Sequence, residues 1–341
     1  MSSGTRITPG QIERWLLDHC QRSPASEPAR CFARGPVAVR DNSQLFYAEC
    51  TTFPSPIAVK LCLGPRTVQP DPDSAHRQYD ALLRVSRAMG DEAEFSVPRP
   101  YLVRADVGLL ATEWVAGESM TALVFSWHCA STQARQLLAR AGRWLRCFHG
   151  CHALAAGRLE VDEKLAFLAE MQTTQAVQDP VFFHALARLR ESAEAAAAIT
   201  LERSWIHGDF KTDNLIVSGP RTVGVDIHLR HENVVIYDLA PFLNHLELAL
   251  CHPKGWRLAR CWALLRDTFL SNYFAARDGA IDLPLSWVQL YLLLQGWCTA
   301  RTHAGSWLRA IFVDHIYRIV ASRLVSRLHH GRAAIPQSDV A

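Results

Sequence analysis

Strand-forming and helix-forming segments occupy separate parts of this 341-residue sequence, and this segregation limits the folds open to it. Three apolar-rich runs separated by turn residues predict strands in the first third, over Phe32–Val39, Leu45–Cys50 and Ile57–Leu63. A helix near Ser74–Met89 and a short strand pair over about Tyr101–Val115 follow. Beyond Gly117 the pattern is helical, apart from one hairpin near residues 204–228. This order predicts an α+β fold with two lobes and not a doubly wound sheet.

The domain organisation follows from the same pattern. Residues 1–30 are predicted to hold a short helix, opened by Thr8 as N-cap and Pro9 as first helical residue and ending near Cys20, and then a Ser-, Pro- and Arg-rich linker. Residues 31–116 form the strand-rich lobe, residues 117–332 the helical lobe, and residues 333–341 a tail.

Composition and charge exclude several classes of protein. The chain is 49% hydrophobic and 20% charged, as in ordinary globular proteins, and a formal net charge of +3 gives no indication of a nucleic-acid partner. Polar residues interrupt the longest apolar stretch, Leu283–Ala300, so we expect a buried helix there and no membrane span. The N-terminus has no signal-peptide pattern, so we expect a cytoplasmic protein whose 10 cysteines are reduced thiols. The sequence leaves the oligomeric state open.

The run CFHGCH, residues 147–152, concentrates four soft ligands that a zinc ion can bind. Structural zinc sites usually draw ligand pairs from two separated segments, and this run ends a helix whose apolar stripe includes Leu145 and Phe148. Gly150 is a candidate for the glycine that follows the helix. We therefore expect no metal here.

The chemistry is concentrated in residues 204–228, which read SWIHGDFKTDNLIVSGPRTVGVDIH. Two short apolar runs flank the turn signal at residues 219–221, which predicts a hairpin. If the turn is centred on Pro220, antiparallel register places Asn214 opposite Asp226. Two neighbouring oxygen donors suit a hard cation such as Mg²⁺, and Asp209 on the preceding loop can orient and deprotonate a hydroxyl group.

Each of these residues also has a purely structural explanation. Asp209 and Asn214 are ordinary turn residues, and an aspartate such as Asp226 often ends a strand. For any one of them alone the structural explanation is the better one, whereas their joint spacing favours a phosphoryl-transfer site.

Residues His207–Asn214, with the sequence HGDFKTDN, resemble the HGDxxxxN catalytic loop of the aminoglycoside phosphotransferase and choline kinase superfamily, and are similar to the HRDLKxxN loop of protein kinases. The resemblance implies a bilobal protein-kinase-like fold that uses ATP and Mg²⁺. It implies that Asp209 is the catalytic base, that Lys211 reaches the transferred phosphate, and that Asn214 and Asp226 bind the metal. His207 becomes a structural support for the loop, and Asp238, in a segment similar to the family's DLA, braces it. Asp238 also has the local character of a helix N-cap.

The same resemblance assigns the nucleotide to the first lobe. Lys60 lies in an otherwise apolar strand, where a charge can simply protect a sheet edge, and it resembles the third-strand lysine that contacts the α- and β-phosphates of ATP. Ser43 and Gln44, with Asn42, occupy the first strand turn, which covers the phosphates in kinase folds. The segment LLATEWVAG resembles the hinge between the lobes, and we expect its backbone at Glu113, Trp114 and Val115 to bind adenine.

One departure from the family concerns the acidic partner of Lys60. The family usually carries a glutamate in a run like REYxAL, and this chain has Gln78 at that position. A neutral amide can accept a hydrogen bond from Lys60 but cannot neutralise it, and Asp80 should face elsewhere on the helix. Either another acid substitutes, or Lys60 is held less firmly.

Three functions are compatible with these patterns. We favour a small-molecule kinase that transfers the γ-phosphate of ATP to a hydroxyl of a sugar, an amino alcohol or a glycolipid headgroup. The alternative is a catalytically weak nucleotide-binding relative with a regulatory or scaffold role, supported by Gln78. A protein kinase is disfavoured, because the sequence has no APE-like segment and only 11 residues separate Asp226 from Asp238.

Overall fold

The computed structural model describes residues 7–20, 29–40, 42–64, 69–90, 94–126, 128–152, 154–174, 177–229, 232–251, 255–274, 279–303 and 305–333. Most of the predicted linker, residues 21–28, and all but one residue of the predicted tail lie outside them. The chain forms two compact units, one of Met1–Glu118 with Ile216–Leu229 and one of Ser119–Leu215 with Arg230–Ala341. The first is rich in strands and the second mostly helical, which confirms the predicted α+β class.

The first unit is built on an antiparallel sheet of five strands in the order β1-β2-β3-β6-β5. Its strands are β1 (Cys31–Arg40), β2 (Ser43–Cys50), β3 (Ile57–Cys62), β5 (Pro100–Arg104) and β6 (Leu109–Glu113). Residues that point to one face, such as Phe46, Val59 and Ala111, are fully buried. The predicted strands are therefore all present, with ends shifted by one or two residues.

Two helices cover this sheet. Helix α1 (Pro9–Cys20) begins as predicted, with Thr8 accepting from the backbone of Gln11, and its residues Ile12 and Leu16 join the apolar core of the sheet. Helix α2 (Pro72–Met89) starts two residues before its predicted first residue, because Asp71 is the N-cap and accepts a hydrogen bond from the backbone N–H of Ser74.

A second, smaller sheet has the order β4-β11-β10-β7, formed by β4 (Phe95–Ser96), β7 (Glu118–Ser119), β10 (Leu215–Ser218) and β11 (Arg221–Gly224). Strands β10 and β11 are the predicted hairpin, and Gly219 at the turn has a φ of 56°. Residues 216–229, which the sequence places in the helical lobe, group with the first unit because β11 pairs in parallel with β4.

The second unit contains nine helices within its described residues and a sheet of three strands. The strands are β8 (Leu154–Gly157), β9 (Leu201–Trp205) and β12 (Glu232–Val234). The helices are α3 (Met120–Val124), α4 (Ser131–Gly150), α5 (Asp162–Thr174), α6 (Pro180–Ala198), α7 (Ile236–Leu250), α8 (Trp256–Ala259), α9 (Trp262–Tyr273), α10 (Asp282–Thr302) and α11 (Trp307–Ala333). Gly150 is the last residue of α4 and Cys151 is the C-cap, so the prediction that Gly150 follows the helix is wrong.

Helix α10 is the centre of the second unit. It packs against α5, α6, α7 and α11, and almost all its side chains between Leu283 and Cys298 are buried, as the apolar stretch predicts. Among the helices that the structure describes, none is both long enough and apolar enough to cross a membrane.

The prediction that all cysteines are reduced is wrong for two of them. Cys31 and Cys50 are opposite each other at the open ends of β1 and β2 and are joined by a disulfide, whereas all ten cysteines were expected to be free thiols. The strand register brings the two together, and nothing in their local sequence indicates it. In the CFHGCH run, Nε2 of His149 lies 3.0 Å from a carboxylate oxygen of Asp238, and Nε2 of His152 lies 3.0 Å from one of Glu232. The expectation that no metal binds there stays a prediction.

Candidate active site

The loop His207–Asn214 enters the hairpin from β9 and is fixed at its first two residues. One carboxylate oxygen of Asp238 accepts from the backbone N–H of His207 at 2.7 Å, and the other accepts from that of Gly208 at 2.9 Å. Gly208 has a φ of 80°, a left-handed conformation that favours glycine. The brace predicted for Asp238 is thus present.

Asp238 is itself part of a buried network. Its Oδ2 lies 3.0 Å from Nε2 of His149, and Nδ1 of His149 lies 2.7 Å from the hydroxyl of Tyr273. Burial raises the pKa of Tyr273, so its hydroxyl stays protonated and can donate. Asp238 lies inside the first turn of α7, whose N-cap is Val235, so the prediction that Asp238 is the N-cap is wrong.

Aromatic packing holds the middle of the loop. The ring of Phe210 is buried and stacks on Trp144 and Phe242, with ring centroids 5.6 and 4.9 Å apart. His207 is fully buried against Trp144 and Phe148, which agrees with its predicted supporting role. The loop therefore presents its polar residues from a rigid base.

Three predicted residues come together on this loop. Nζ of Lys211 donates to Oδ2 of Asp209 at 2.6 Å, and Nδ2 of Asn214 donates to the same oxygen at 3.1 Å and to the Asp209 carbonyl at 2.8 Å. The Asp209 side chain is 45% exposed and accessible to a ligand, whereas Asn214 is buried. The amide oxygen Oδ1 is the atom with which Asn214 can bind a metal, because an amide NH₂ group is only a hydrogen-bond donor.

Two further residues, Asp213 and His245, lie beside this group, and the sequence analysis did not select either of them. Nε2 of His245, on α7, lies 3.6 Å from a carboxylate oxygen of Asp213. Burial lowers the pKa of His245, which favours the neutral imidazole. His245 lies nine residues after the start of α7, and nothing in the local sequence indicates its contact with Asp213.

In the first unit, Lys60 on β3 reaches two partners. Its Nζ donates to Oε1 of Gln78 at 2.9 Å and to Oδ1 of Asp226 at 2.5 Å. The amide of Gln78 therefore accepts from Lys60 as predicted, and of the two alternatives for the missing glutamate, the structure supplies another acid, Asp226. Asp80 is partly exposed and lies 3.4 Å from Nε2 of His76.

Three basic side chains, those of Lys60, His228 and Arg40, lie near Asp226. Nε2 of His228 lies 3.4 Å from Oδ1, and a guanidinium nitrogen of Arg40 lies 3.8 Å from Oδ2. Burial alone would raise the pKa of Asp226, but the hydrogen bond from His228 and the charge of Lys60 outweigh it and hold the pKa well below the usual range. The sequence analysis missed both new neighbours. Proximity to Asp226 in the chain could have indicated His228, whereas Arg40 gave no signal.

The predicted strand register does not extend to Asp226. β11 ends at Gly224, and Asp226 lies two residues beyond it with a φ of 65°. The pairing of Asn214 with Asp226 as joint metal ligands therefore stays a prediction from the family pattern. The donor chemistry fits Mg²⁺, since an amide oxygen and an ionised carboxylate are hard oxygen ligands.

The other residues predicted to bind the nucleotide lie at the start of β2 and at or just after the end of β6. Ser43 and Gln44 are the first two residues of β2 and not part of the turn. At the predicted hinge, the backbone N–H groups of Glu113 and Trp114 donate to the carbonyls of Arg99 and Pro56. Adenine would therefore have to bind the N–H of Val115 or carbonyl oxygens of this segment.

Comparisons with known proteins agree with this geometry. The model of the family described as "Phosphotransferase enzyme family" matches residues 59–276. No curated protein sequence is significantly similar to the chain.

Three solved structures illustrate the likeness in fold. A choline/ethanolamine kinase family protein from Mesorhizobium loti has a TM-score of 0.62 at 16% identity, with 96% of this chain and 100% of that one covered. A glucosamine kinase in complex with glucosamine, ADP and inorganic phosphate has a TM-score of 0.62 at 15% identity, with 96% of this chain and 89% of that one covered. An amicoumacin kinase in complex with AMP-PNP, Ca²⁺ and its ligand has a TM-score of 0.54 at 12% identity, with 91% of this chain and 93% of that one covered.

Proposed function

This chain belongs to the phosphotransferase enzyme family, and on that premise we propose that it is an ATP- and Mg²⁺-dependent kinase that phosphorylates a hydroxyl group of a small molecule. The observation that carries the proposal is the convergence of Lys211 and Asn214 on the exposed carboxylate of Asp209. A carboxylate that is rigidly held, accessible and next to a cation is equipped to orient a hydroxyl for attack on a phosphate.

Each residue then has a defined task. Asp209 accepts the hydrogen of the acceptor hydroxyl, and Lys211 compensates negative charge on the transferred phosphoryl group. Lys60 binds the α- and β-phosphates, and Asn214 and Asp226 are the ligands that would hold Mg²⁺. When bound, the metal neutralises charge on the β- and γ-phosphate oxygens.

The fold neighbours support the substrate class. Their descriptions name choline or ethanolamine, glucosamine and amicoumacin kinases, all of which act on small molecules, and two of the structures contain an adenine nucleotide or analogue. At identities of 16% or below they do not identify the acceptor. We propose a sugar, amino alcohol or glycolipid headgroup.

The test is a phosphorylation screen. The purified protein is incubated with Mg²⁺-ATP and a panel of hydroxyl compounds, and products are identified by intact mass. We expect at least one acceptor to gain a phosphoryl group, and Asp209→Asn to lower turnover by about a hundredfold to ten-thousandfold while ATP affinity is retained.

Asp213→Asn is the matched control, because it removes a carboxylate from the same loop without touching Asp209. If Asp209→Asn turns over near the wild-type rate, Asp209 is not the base. If both variants lose activity equally, the effect belongs to the loop and not to Asp209.

A second candidate function is a nucleotide-binding protein with little turnover. It is favoured by the contacts of Asp226 with Lys60, His228 and Arg40, which occupy the carboxylate that the metal needs. Calorimetric ATP binding without product formation from any acceptor would support it over the kinase.

A further inference from the structure

Three sulfur atoms meet at one end of the five-stranded sheet, far along the chain from the candidate active-site loop. Cys20 is the last residue of α1, Cys31 the first of β1 and Cys50 the last of β2. Sγ of Cys20 lies 3.6 Å from Sγ of Cys50, which is bonded to Cys31. Within the part of the chain that the structure describes, this is the only group of three potential metal-binding residues.

The contact between Cys20 and the disulfide is enclosed. Cys20 is 5% exposed and Cys50 is 7% exposed, so solvent reaches neither sulfur freely. Oγ1 of Thr52 lies 2.9 Å from Sγ of Cys20 and 3.5 Å from Sγ of Cys50. A hydroxyl at this position can donate a hydrogen bond to either sulfur.

Cys31 has a different environment. It is only partly buried, and together with Cys50 it lines an open cavity of about 530 Å³ whose wall also includes Arg30, Phe32 and Phe53. A volume of this size can admit a small organic molecule. Arg30 contributes a cationic residue to this wall, which favours an anionic ligand in the cavity.

We propose that Cys20, Cys31 and Cys50 form a thiol–disulfide exchange site at which Cys31 can be modified by a low-molecular-weight disulfide. In the first step the thiolate of Cys20 attacks Sγ of Cys50. The Cys20–Cys50 bond forms, the Cys31–Cys50 bond breaks, and Cys31 leaves as a thiolate. The proton lost by Cys20 goes to solvent, and the step needs no oxidant.

In the second step the thiolate of Cys31 attacks the low-molecular-weight disulfide RSSR from the cavity. A Cys31–SR bond forms, and the other half of the reagent leaves as RS⁻. The protein then carries one internal disulfide, Cys20–Cys50, and one mixed disulfide at Cys31. Cys20 therefore acts as the internal nucleophile that releases the accessible cysteine.

The test uses the full-length protein and glutathione disulfide as the probe. After incubation the sample is quenched in acid, free thiols are alkylated, and disulfides are mapped by mass spectrometry without reduction. We expect a Cys20–Cys50 linkage and one glutathionyl group on Cys31. Cys20→Ser should keep the Cys31–Cys50 disulfide and lose the adduct. Cys129→Ser, which removes a buried cysteine elsewhere, should behave as wild type.

A second variant separates chemistry from folding. Cys31→Ser leaves Cys20 and Cys50 in contact, and we expect glutathione disulfide to join them, with a thermal melting curve like that of the wild type. The proposal is overturned if these two thiols stay free in Cys31→Ser. It is also overturned if wild type yields only the Cys31–Cys50 linkage without adduct, or if Cys20→Ser gains the adduct as the wild type does.

Discussion

At the scale of single residues, the two predicted metal ligands differ in charge and in their contacts. Asp226 is an ionised carboxylate with three basic neighbours, whereas Asn214 is a neutral amide held by Asp209. A charged oxygen ligand contributes more to the binding of a hard cation than a neutral one. The two residues should therefore not contribute equally to metal-dependent nucleotide binding.

We predict that Asp226→Ala weakens Mg²⁺-dependent ATP binding more than Asn214→Ala does, by about tenfold or more. Isothermal titration calorimetry at several Mg²⁺ concentrations measures the difference. Binding without Mg²⁺ is the control, since only the metal-dependent part should separate the variants. Equal Mg²⁺ dependence in both would contradict the assigned roles.

Gln78 provides a second test at this scale. Because its amide cannot neutralise Lys60, the lysine pairs with Asp226, and a metal has to compete for that carboxylate. Gln78→Glu gives Lys60 another acidic partner. We predict that it lowers the Mg²⁺ concentration needed for ATP binding, by up to about tenfold.

The matched control is Ala88→Glu, which adds the same charge to the exposed side of α2. Calorimetry should show a lower Mg²⁺ requirement for ATP binding in Gln78→Glu and an unchanged one in Ala88→Glu. An unchanged or raised Mg²⁺ requirement in Gln78→Glu would show that the Lys60–Asp226 contact does not limit metal binding.

At the scale of elements, the start of α7 supports the loop His207–Asn214. The carboxylate of Asp238 is fully buried and accepts hydrogen bonds from two backbone N–H groups of the loop, while His149 contacts it from α4. Removing the Asp238 carboxylate leaves two buried N–H donors without an acceptor, and each unsatisfied donor lowers the free energy of unfolding. The loop geometry therefore depends on a fully buried residue that lies outside the loop.

We predict that Asp238→Ala lowers the free energy of unfolding by on the order of 3 kcal/mol and abolishes turnover. Urea denaturation followed by tryptophan fluorescence measures the free energy of unfolding, and the phosphorylation assay measures turnover. Asp267→Ala, which removes a carboxylate that is 60% exposed on α9, should change stability by less than about 0.5 kcal/mol. Wild-type stability in Asp238→Ala would refute the bracing role.

Elements with strong local signals could be predicted from the sequence, and features created by tertiary contacts could not. The strands and α10 follow directly from apolar runs, and HGDFKTDN indicated the loop that brings Asp209, Lys211 and Asn214 together. The end of β11 at Gly224 was missed, because apolar residues at 225 and 227 continue the strand pattern while the backbone turns at Asp226. The disulfide and the Arg40–Asp226 contact depend on register and long-range packing, which a single sequence does not encode locally.

At the scale of the whole molecule, the charge of the C-terminal third bears on the acceptor. From residue 241 onward the sequence has 6 acids and 11 lysines and arginines, counted directly from it. Each described acid in this region lies within ion-pair distance of an arginine: Glu247, Asp267, Asp282 and Asp314. Asp278, Asp339, Lys254, Arg277 and Arg332 lie outside the residues whose side chains are described. These paired acids are poorly suited to capture a polycation.

We predict that the acceptor is a neutral or anionic hydroxyl compound and not a polycationic aminoglycoside. An aromatic platform for a sugar would have to come from an exposed ring, and Trp287 and Trp297 are fully buried whereas Trp256 and Trp307 are 57% and 70% exposed. Steady-state kinetics with kanamycin-type compounds and with neutral and phosphorylated sugars tests this. A kcat/KM for the aminoglycoside of about 10⁴ M⁻¹s⁻¹ or above would contradict it.

The discontinuity of the first unit has a consequence for synthesis on the ribosome. Its small sheet needs β10 and β11, and Lys60 meets Asp226 across 166 residues of chain. When residue 118 has emerged, β4 still has no strand to pair with and Lys60 has no carboxylate, so the nascent unit is incomplete until the chain has grown past Leu229. The strand-rich part of this protein is therefore translated first but can be finished only after much of the helical part has been made.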